Sequence, residues 1–137
     1  MNRLSGRVVS FHTHQGVSLV ECRTASGLLG AVILETETSA PWIALQKDIA
    51  LWFKETEVWP LPASIEVPSA YFLEGTLQAV QEGKILSRLD FSTADGLVRA
   101  LVDCAWADSL RRAPGGKYRL RLHPAAIALR EPGSEEA

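Results

Sequence analysis

The 137-residue chain is long enough for one ordinary domain or two very small ones. Its hydrophobic content of 47% suffices for a packed core, and its charged content of 22% is ordinary for a soluble globular protein. A net charge of −2 and a pI near 5.9 leave no electrostatic footprint for a duplex nucleic acid, and no apolar run approaches the ~18 residues needed to span a bilayer.

Residues 4–11 read as a β-strand, with Leu4, Gly6, Val8 and Ser10 on one face and Ser5, Arg7, Val9 and Phe11 on the other. Gly6 marks a bend, a bulge or a close backbone approach. His12-Thr13-His14-Gln15-Gly16 is expected to turn the chain into a second strand, residues 17–24, rich in β-branched side chains. Ala25-Ser26-Gly27 turns it again into residues 28–34. Residues 35–42 are polar and then interrupted by Pro41, which suggests a loop or one helical turn. After a turn at Gln46-Lys47-Asp48, residues 49–53 are so apolar that both faces should be covered. The chain then meets a polar corner, Lys54-Glu55-Thr56-Glu57, and returns to a short strand at Val58-Trp59. Pro60, Pro62 and Pro68, with Ala63, Ser64 and Ser69, read as a semi-extended linker.

Beyond that linker the pattern repeats at a constant separation of 69 residues: Leu4 with Leu73, Gly6 with Gly75, Gly27 with Gly96, Ala31 with Ala100, Leu51 with Leu120, Phe53 with Leu122 and Val58 with Ile127. Only the first hairpin slips, Gly16 matching Gly83 at a separation of 67. In the second copy Ala105-Trp106-Ala107-Asp108-Ser109-Leu110-Arg111-Arg112 reads as a helix, ended by Ala113-Pro114-Gly115-Gly116. The acidic tail, residues 131–137, should be frayed. The expected organisation is mainly β: a first unit over residues 1–61, a linker over 62–70 and a second unit over 71–130, each with about five short strands and a short helical piece. Such a unit resembles a small OB-type β-barrel. Units of roughly 60 residues are marginal alone, so tandem packing, or exchange of strands between chains, is expected to bury the apolar strands.

Three segments carry a closer resemblance. Asn2-Arg3-Leu4-Ser5-Gly6-Arg7-Val8 matches N-x-L-x-G-x-V, Ala31-Val32-Ile33 matches A-x-I, and Lys54-Glu55-Thr56-Glu57-Val58 matches K-A-S-x-V with threonine for serine. In this order and spacing the chain resembles two tandem copies of the Mop domain of the TOBE superfamily, which includes the molbindins. The resemblance implies molybdate or tungstate binding in the cytoplasm, for storage, buffering or sensing, and assembly into a dimer or trimer. It places the oxyanion between units, on main-chain N–H groups, the opening motif and the K-A-S corner, here Asn2, Lys54, Glu55 and Thr56. There are departures. The serine, alanine and arginine that precede the family's asparagine have no counterpart; the second copy reads Pro68-Ser69-Ala70-Tyr71 at that motif and His123-Pro124-Ala125 at the corner; and Glu55 and Glu57 put negative charge beside the first corner.

A tetrahedral dianion needs convergent N–H donors and modest positive charge. Lys54 can supply the charge, Thr56 a hydroxyl and Asn2 an amide, so the first copy should bind better than the second. The plainer alternative has Lys54 snorkelling from a strand end and Thr56 capping a turn. His12-x-His14 lacks a third ligand and reads as a solvated turn, with no metal cation expected. Cys22 and Cys104 show no paired spacing and are expected to be buried free thiols in a reducing compartment. Cys104 lacks a histidine partner, no G-x-S-x-G elbow occurs, and no covalent cofactor or enzyme activity is expected. Met1 to Gly6 carries no apolar leader segment, which fits a cytoplasmic protein. The second functional reading is a regulatory or protein-interaction module of the same fold without bound anion, with Trp42, Trp52, Trp59 and Trp106 at core or subunit contacts.

Overall fold

The first strand follows the sequence alternation: in β1 (Asn2–His14), Leu4 and Val8 are buried while Arg3, Ser5 and Arg7 face solvent. In the computed structural model, which describes residues 1–36, 38–111 and 116–133, the same logic builds a mainly β, OB-like chain. The first half contributes β1, β2 (Val17–Arg23), β3 (Gly27–Ile33), β4 (Asp48–Phe53) and β5 (Trp59–Pro62). The second contributes β6 (Phe72–Gln81), β7 (Leu86–Thr93), β8 (Gly96–Asp103), helix α1 (Cys104–Arg111), β9 (Lys117–Arg121) and β10 (Ala128–Arg130). Short 3₁₀ turns, Glu55–Glu57 and Pro124–Ala126, separate β4 from β5 and β9 from β10.

The two halves share irregularities as well as strands. The β1–β2 register slips between Val8 and Ser10, and the β6–β7 register slips between Leu77 and Ala79, so the bulged positions fall at matching places in the repeat. The turns after β2 and β7 are built alike: Thr24 Oγ1 donates to Gly27 O (3.1 Å), and Thr93 Oγ1 donates to Gly96 O (2.7 Å). These turns meet. The Asp95 carboxylate accepts from Ala25 N (3.1 Å), from Ser26 N (2.9 Å) and from the Ser26 hydroxyl.

The halves also trade their last strands. β10 pairs with β4, Leu129 opposite Leu51, and β5 pairs with β9, Pro60 opposite Leu120. β3 and β6 add a short seam, Gly27 opposite Leu73. One apolar core therefore runs through both halves, from Val8, Leu51 and Phe53 to Leu73, Phe91 and Leu122. Phe91 meets Tyr118 edge-on with ring centroids 5.6 Å apart.

Several sequence expectations shift. β1 runs through the expected turn at 12–14, because Gln15 (φ 51°) and Gly16 (φ 78°) close a two-residue loop that lets pairing continue to His14. His12 and His14 are exposed there, and among the described residues no three potential ligands gather around a metal position. β5 extends into the expected linker despite Pro60 and Pro62; among the described residues it pairs only with β9, so its other edge needs no N–H donors. In the first half, residues 38–47 form successive turns, with Ala40 N donating to Thr36 O (3.0 Å) and Ile43 N to Ala40 O (2.9 Å). Cys104 is half-buried rather than buried, its Sγ donating to Gly83 O (3.2 Å). Cys22 is buried, and desolvation, with a smaller contribution from Glu21, pushes its thiol up to about 12. Of the tryptophans only Trp52 is buried; Trp42 and Trp106 are half-buried and Trp59 is exposed. The expected helix stop at 113–115, Arg112, Glu37 and the tail from 134 lie outside the described residues.

The exchange has a direct consequence. Proteolytic nicking in the exposed stretch at residues 63–66 should leave two fragments that co-elute on size exclusion and separate only in denaturant, since each holds a strand of the other's sheet. Separation in native buffer would contradict the pairing of β10 with β4 and β5 with β9.

Candidate functional site

Each polar corner is a strand end, an extended residue and one 3₁₀ turn. Lys54 (φ −73°, ψ 149°) enters the first and His123 (φ −69°, ψ 136°) the second. Glu57 N returns to Lys54 O at 3.0 Å, and Ala126 N to His123 O at 2.9 Å. The backbones match while the capping differs. His123 Nδ1 accepts the Ala125 N–H at 3.0 Å, whereas no side chain caps the turn that Lys54 opens. Pro124 stands at the start of its turn, where an N–H has no internal partner, so it costs the turn little but removes a donor.

Strand exchange carries both corners to one cleft of about 240 Å³. Lys54 and Glu57 enter it from the first corner and Ala125 and Ala126 from the second, with Trp52 and Arg130 completing the wall. Trp52 is 3% exposed because two guanidinium groups cover it: Arg3 Cζ lies 4.3 Å and Arg130 Cζ 5.1 Å from its ring. Arg3 is the cross-strand partner of Trp52 on β1, and Arg130 reaches it from β10. The cleft thus holds two cations and one carboxylate beside a turn whose leading N–H groups no side chain caps.

The four sequence candidates do not gather at one point. Lys54 lines this cleft. Thr56 is exposed on the other side of the corner, in an apolar cleft of about 300 Å³ with Trp59, Leu86, Leu101 and Trp106. Asn2 and Glu55 line a third, open cleft of about 420 Å³ with Arg3 and Arg99. Asn2 is 7% exposed and its amide bonds the Arg99 backbone at both ends: Nδ2 donates to Arg99 O (2.8 Å) and Oδ1 accepts from Arg99 N (2.9 Å). Glu55 accepts from the Met1 amine at 3.2 Å. Sequence reasoning missed Trp52, Arg130 and the meeting of the corners. The 69-residue spacing aligned the corners but did not reveal that β10 leaves its own half.

The second half answers the Asn2–Arg99 contact differently. Tyr71 occupies the place of Asn2, and its ring lies where a Cβ on Gly30, the counterpart of Arg99, would stand at 2.8 Å. Its hydroxyl donates to Glu21 Oε2 at 3.0 Å. Desolvation first, and Glu21 second, raise the phenol above its ordinary range.

No protein-family profile matches the chain, and no curated protein matches it in sequence. Among solved structures it is similar to the cytoplasmic molybdate-binding protein ModG in a form with molybdate bound, with a TM-score of 0.81, 18% identity and 96% of each chain covered. That likeness establishes the fold. Matches to a structure concerning abrogation of pro-inflammatory cytokine activation and to a murine DNA-binding protein with double-stranded DNA have TM-scores of 0.31 and 0.30 and carry no argument. Among the described residues no helix is long and apolar enough to cross a membrane.

Replacing Asn2 by alanine leaves the backbone N–H and C=O of Arg99 without their partner. The expected cost is about 1–3 kcal/mol, read as a lower denaturation midpoint with an unchanged denaturant slope. An unaltered midpoint would remove Asn2 from the contacts that join the halves.

Proposed function

We propose that the chain is a Mop/TOBE-type, molbindin-like binding protein that holds a small oxyanion, molybdate or tungstate, in the cleft between its two corners. The observation that carries this is the convergence of both corners on Lys54 and Arg130, within a fold similar to that of a protein crystallised with molybdate. Lys54 and Arg130 supply the positive charge in the cleft, beside the uncapped turn. Asn2, Glu55 and Thr56 act indirectly in this reading: Asn2 fixes β1 against β8, Glu55 anchors the corner and Thr56 shapes its outer side. Storage, buffering or sensing of the anion in the cytoplasm is the corresponding role, with binding rather than catalysis as the activity. The same reading divides the chain into units at 1–61 and 71–130, joined by 62–70.

Titration with molybdate tests it. A hydrogen bond to a charged group contributes roughly 1.5–3 kcal/mol, so Lys54→Ala should weaken binding by about tenfold or more. His123→Ala should change it little, and Glu57→Gln should hold or improve it by removing a repelling charge. No binding heat at millimolar molybdate would defeat the ligand reading. Equal binding by Lys54→Ala would move the anion elsewhere.

We also propose self-association. Both halves present apolar side chains at equivalent places: Val17 (43% exposed) and Val32 in the first, Leu86 (46% exposed) and Leu101 in the second, where Trp59 and Trp106 stand edge-on at 5.7 Å. Small β-units gain burial by such contacts. Light scattering should give a dimer or trimer, and Trp59→Asp should shift it towards monomer. A clean monomer at high micromolar concentration contradicts the proposal. An oligomer without molybdate affinity would leave the interaction-module reading, to which the exposed Trp59 lends support.

A further inference from the structure

The repeat supplies its own control for a second polar cleft. On the outer face of the first half, Arg23, Arg7 and Asp48 form one transverse row across β2, β1 and β4. Arg7 Nε lies 3.5 Å from Asp48 Oδ1, so that row is closed by an ion pair. The equivalent row of the second half, across β7, β6 and β9, is Ser92, Thr76 and Lys117. Charge has been inverted at the third position and removed from the first two. Among the described residues neither Lys117 nor Arg119, two places along β9 on the same face, is ion-paired. Here a cleft of about 480 Å³ opens, walled on its far side by the Ala25-Ser26 turn of the first half. That turn is held by the Asp95 carboxylate, whose charge is already met by two N–H groups and a hydroxyl.

We propose that this cleft between the halves binds a phosphate monoester of a small polyol. Neighbouring strands stand about 4.8 Å apart, so the row sets Lys117 beside Thr76 and lets the ammonium and the hydroxyl meet one tetrahedral anion. Arg119 turns its guanidinium to the Phe72 ring, with Cζ 4.8 Å away, and adds its positive charge at the rim of the cleft. A bare oxyanion would fill a small part of the volume, which is within the usual ~300–1,000 Å³ of small-molecule sites. The remaining wall bears the Ser92 hydroxyl, which donates and accepts, and the Glu74 carboxylate, which accepts from hydroxyl groups, between the small side chains of Ala25, Ala63 and Ala94 that leave room for a short carbon chain. The ligand is therefore phosphorylated at one end and hydroxylated at the other. This site is separate from the corner cleft and does not depend on the molybdate reading.

The test is calorimetric titration of the full chain with glycerol phosphate, inorganic phosphate and glycerol. Glycerol phosphate should bind more tightly than either part alone. Lys117→Ala, at an exposed position, should weaken it by about tenfold, Lys117→Arg should restore most of the affinity, and thermal melts should show all variants folded. Lys54→Ala should bind glycerol phosphate as wild type does, and Lys117→Ala should bind molybdate as wild type does. Absence of binding by wild type, undiminished binding by Lys117→Ala, or loss in Lys54→Ala would each overturn the assignment.

Discussion

The interaction on which the rest of the structure depends is the exchange of the two short strands. β10 has three residues and β5 has four, too few to hold a fold by themselves. Each lies instead along the strand that ends at the opposite corner: β10 on β4 and β5 on β9. This pairing lets the two halves of the chain share one core, from Leu51 to Leu120 and Leu122. It also brings Ala125, Ala126 and Arg130 of the second half beside Lys54 of the first. Packing and candidate site thus have a common cause.

Within that frame the halves have kept backbone geometry and diverged in side-chain chemistry. Arg3 stacks on Trp52 in the first half; the matching positions in the second hold Phe72 and Arg121, aromatic and cation reversed. Asn2 grips the backbone of Arg99, while Tyr71 lies over Gly30. Lys54 leaves its turn uncapped, while His123 consumes the equivalent N–H. Arg7 and Asp48 pair, while Thr76 and Lys117 stand open. Each difference leaves a strand position intact and changes the chemistry exposed there, so two halves of like backbone present unlike surfaces.

Much of this was legible in the sequence because its signals are local and periodic. Alternation in β1, the glycine turns at Gly27 and Gly96, the apolar run of β4 and the 69-residue spacing fixed the strands and their order. Turn geometry was less legible: nothing in Gln15 announces φ of 51°, so β1 ended too early. Prolines 60 and 62 made the short strand expected at Val58-Trp59 look shorter than it is, because its pairing with β9, which leaves it at an edge, is a long-range contact. The site suffered most. Lys54, Glu55 and Thr56 are consecutive, and β1–β4 pairing sets Asn2 opposite Phe53 beside them, yet their side chains leave in different directions and open onto three clefts. Arg130 and Trp52 entered only with the exchange, a long-range pairing that no local pattern encodes.

The central claim is that strand exchange creates one anion site from two corners. Crystals of the chain grown with tungstate, measured at the tungsten absorption edge, locate the anion without reference to any side-chain assumption. An anomalous peak is expected in the cleft walled by Lys54, Trp52 and Arg130, on the side of the uncapped turn that Lys54 opens and away from the Ala125 N–H that His123 caps. A peak confined to another surface, or no peak in crystals soaked at millimolar tungstate, would contradict it.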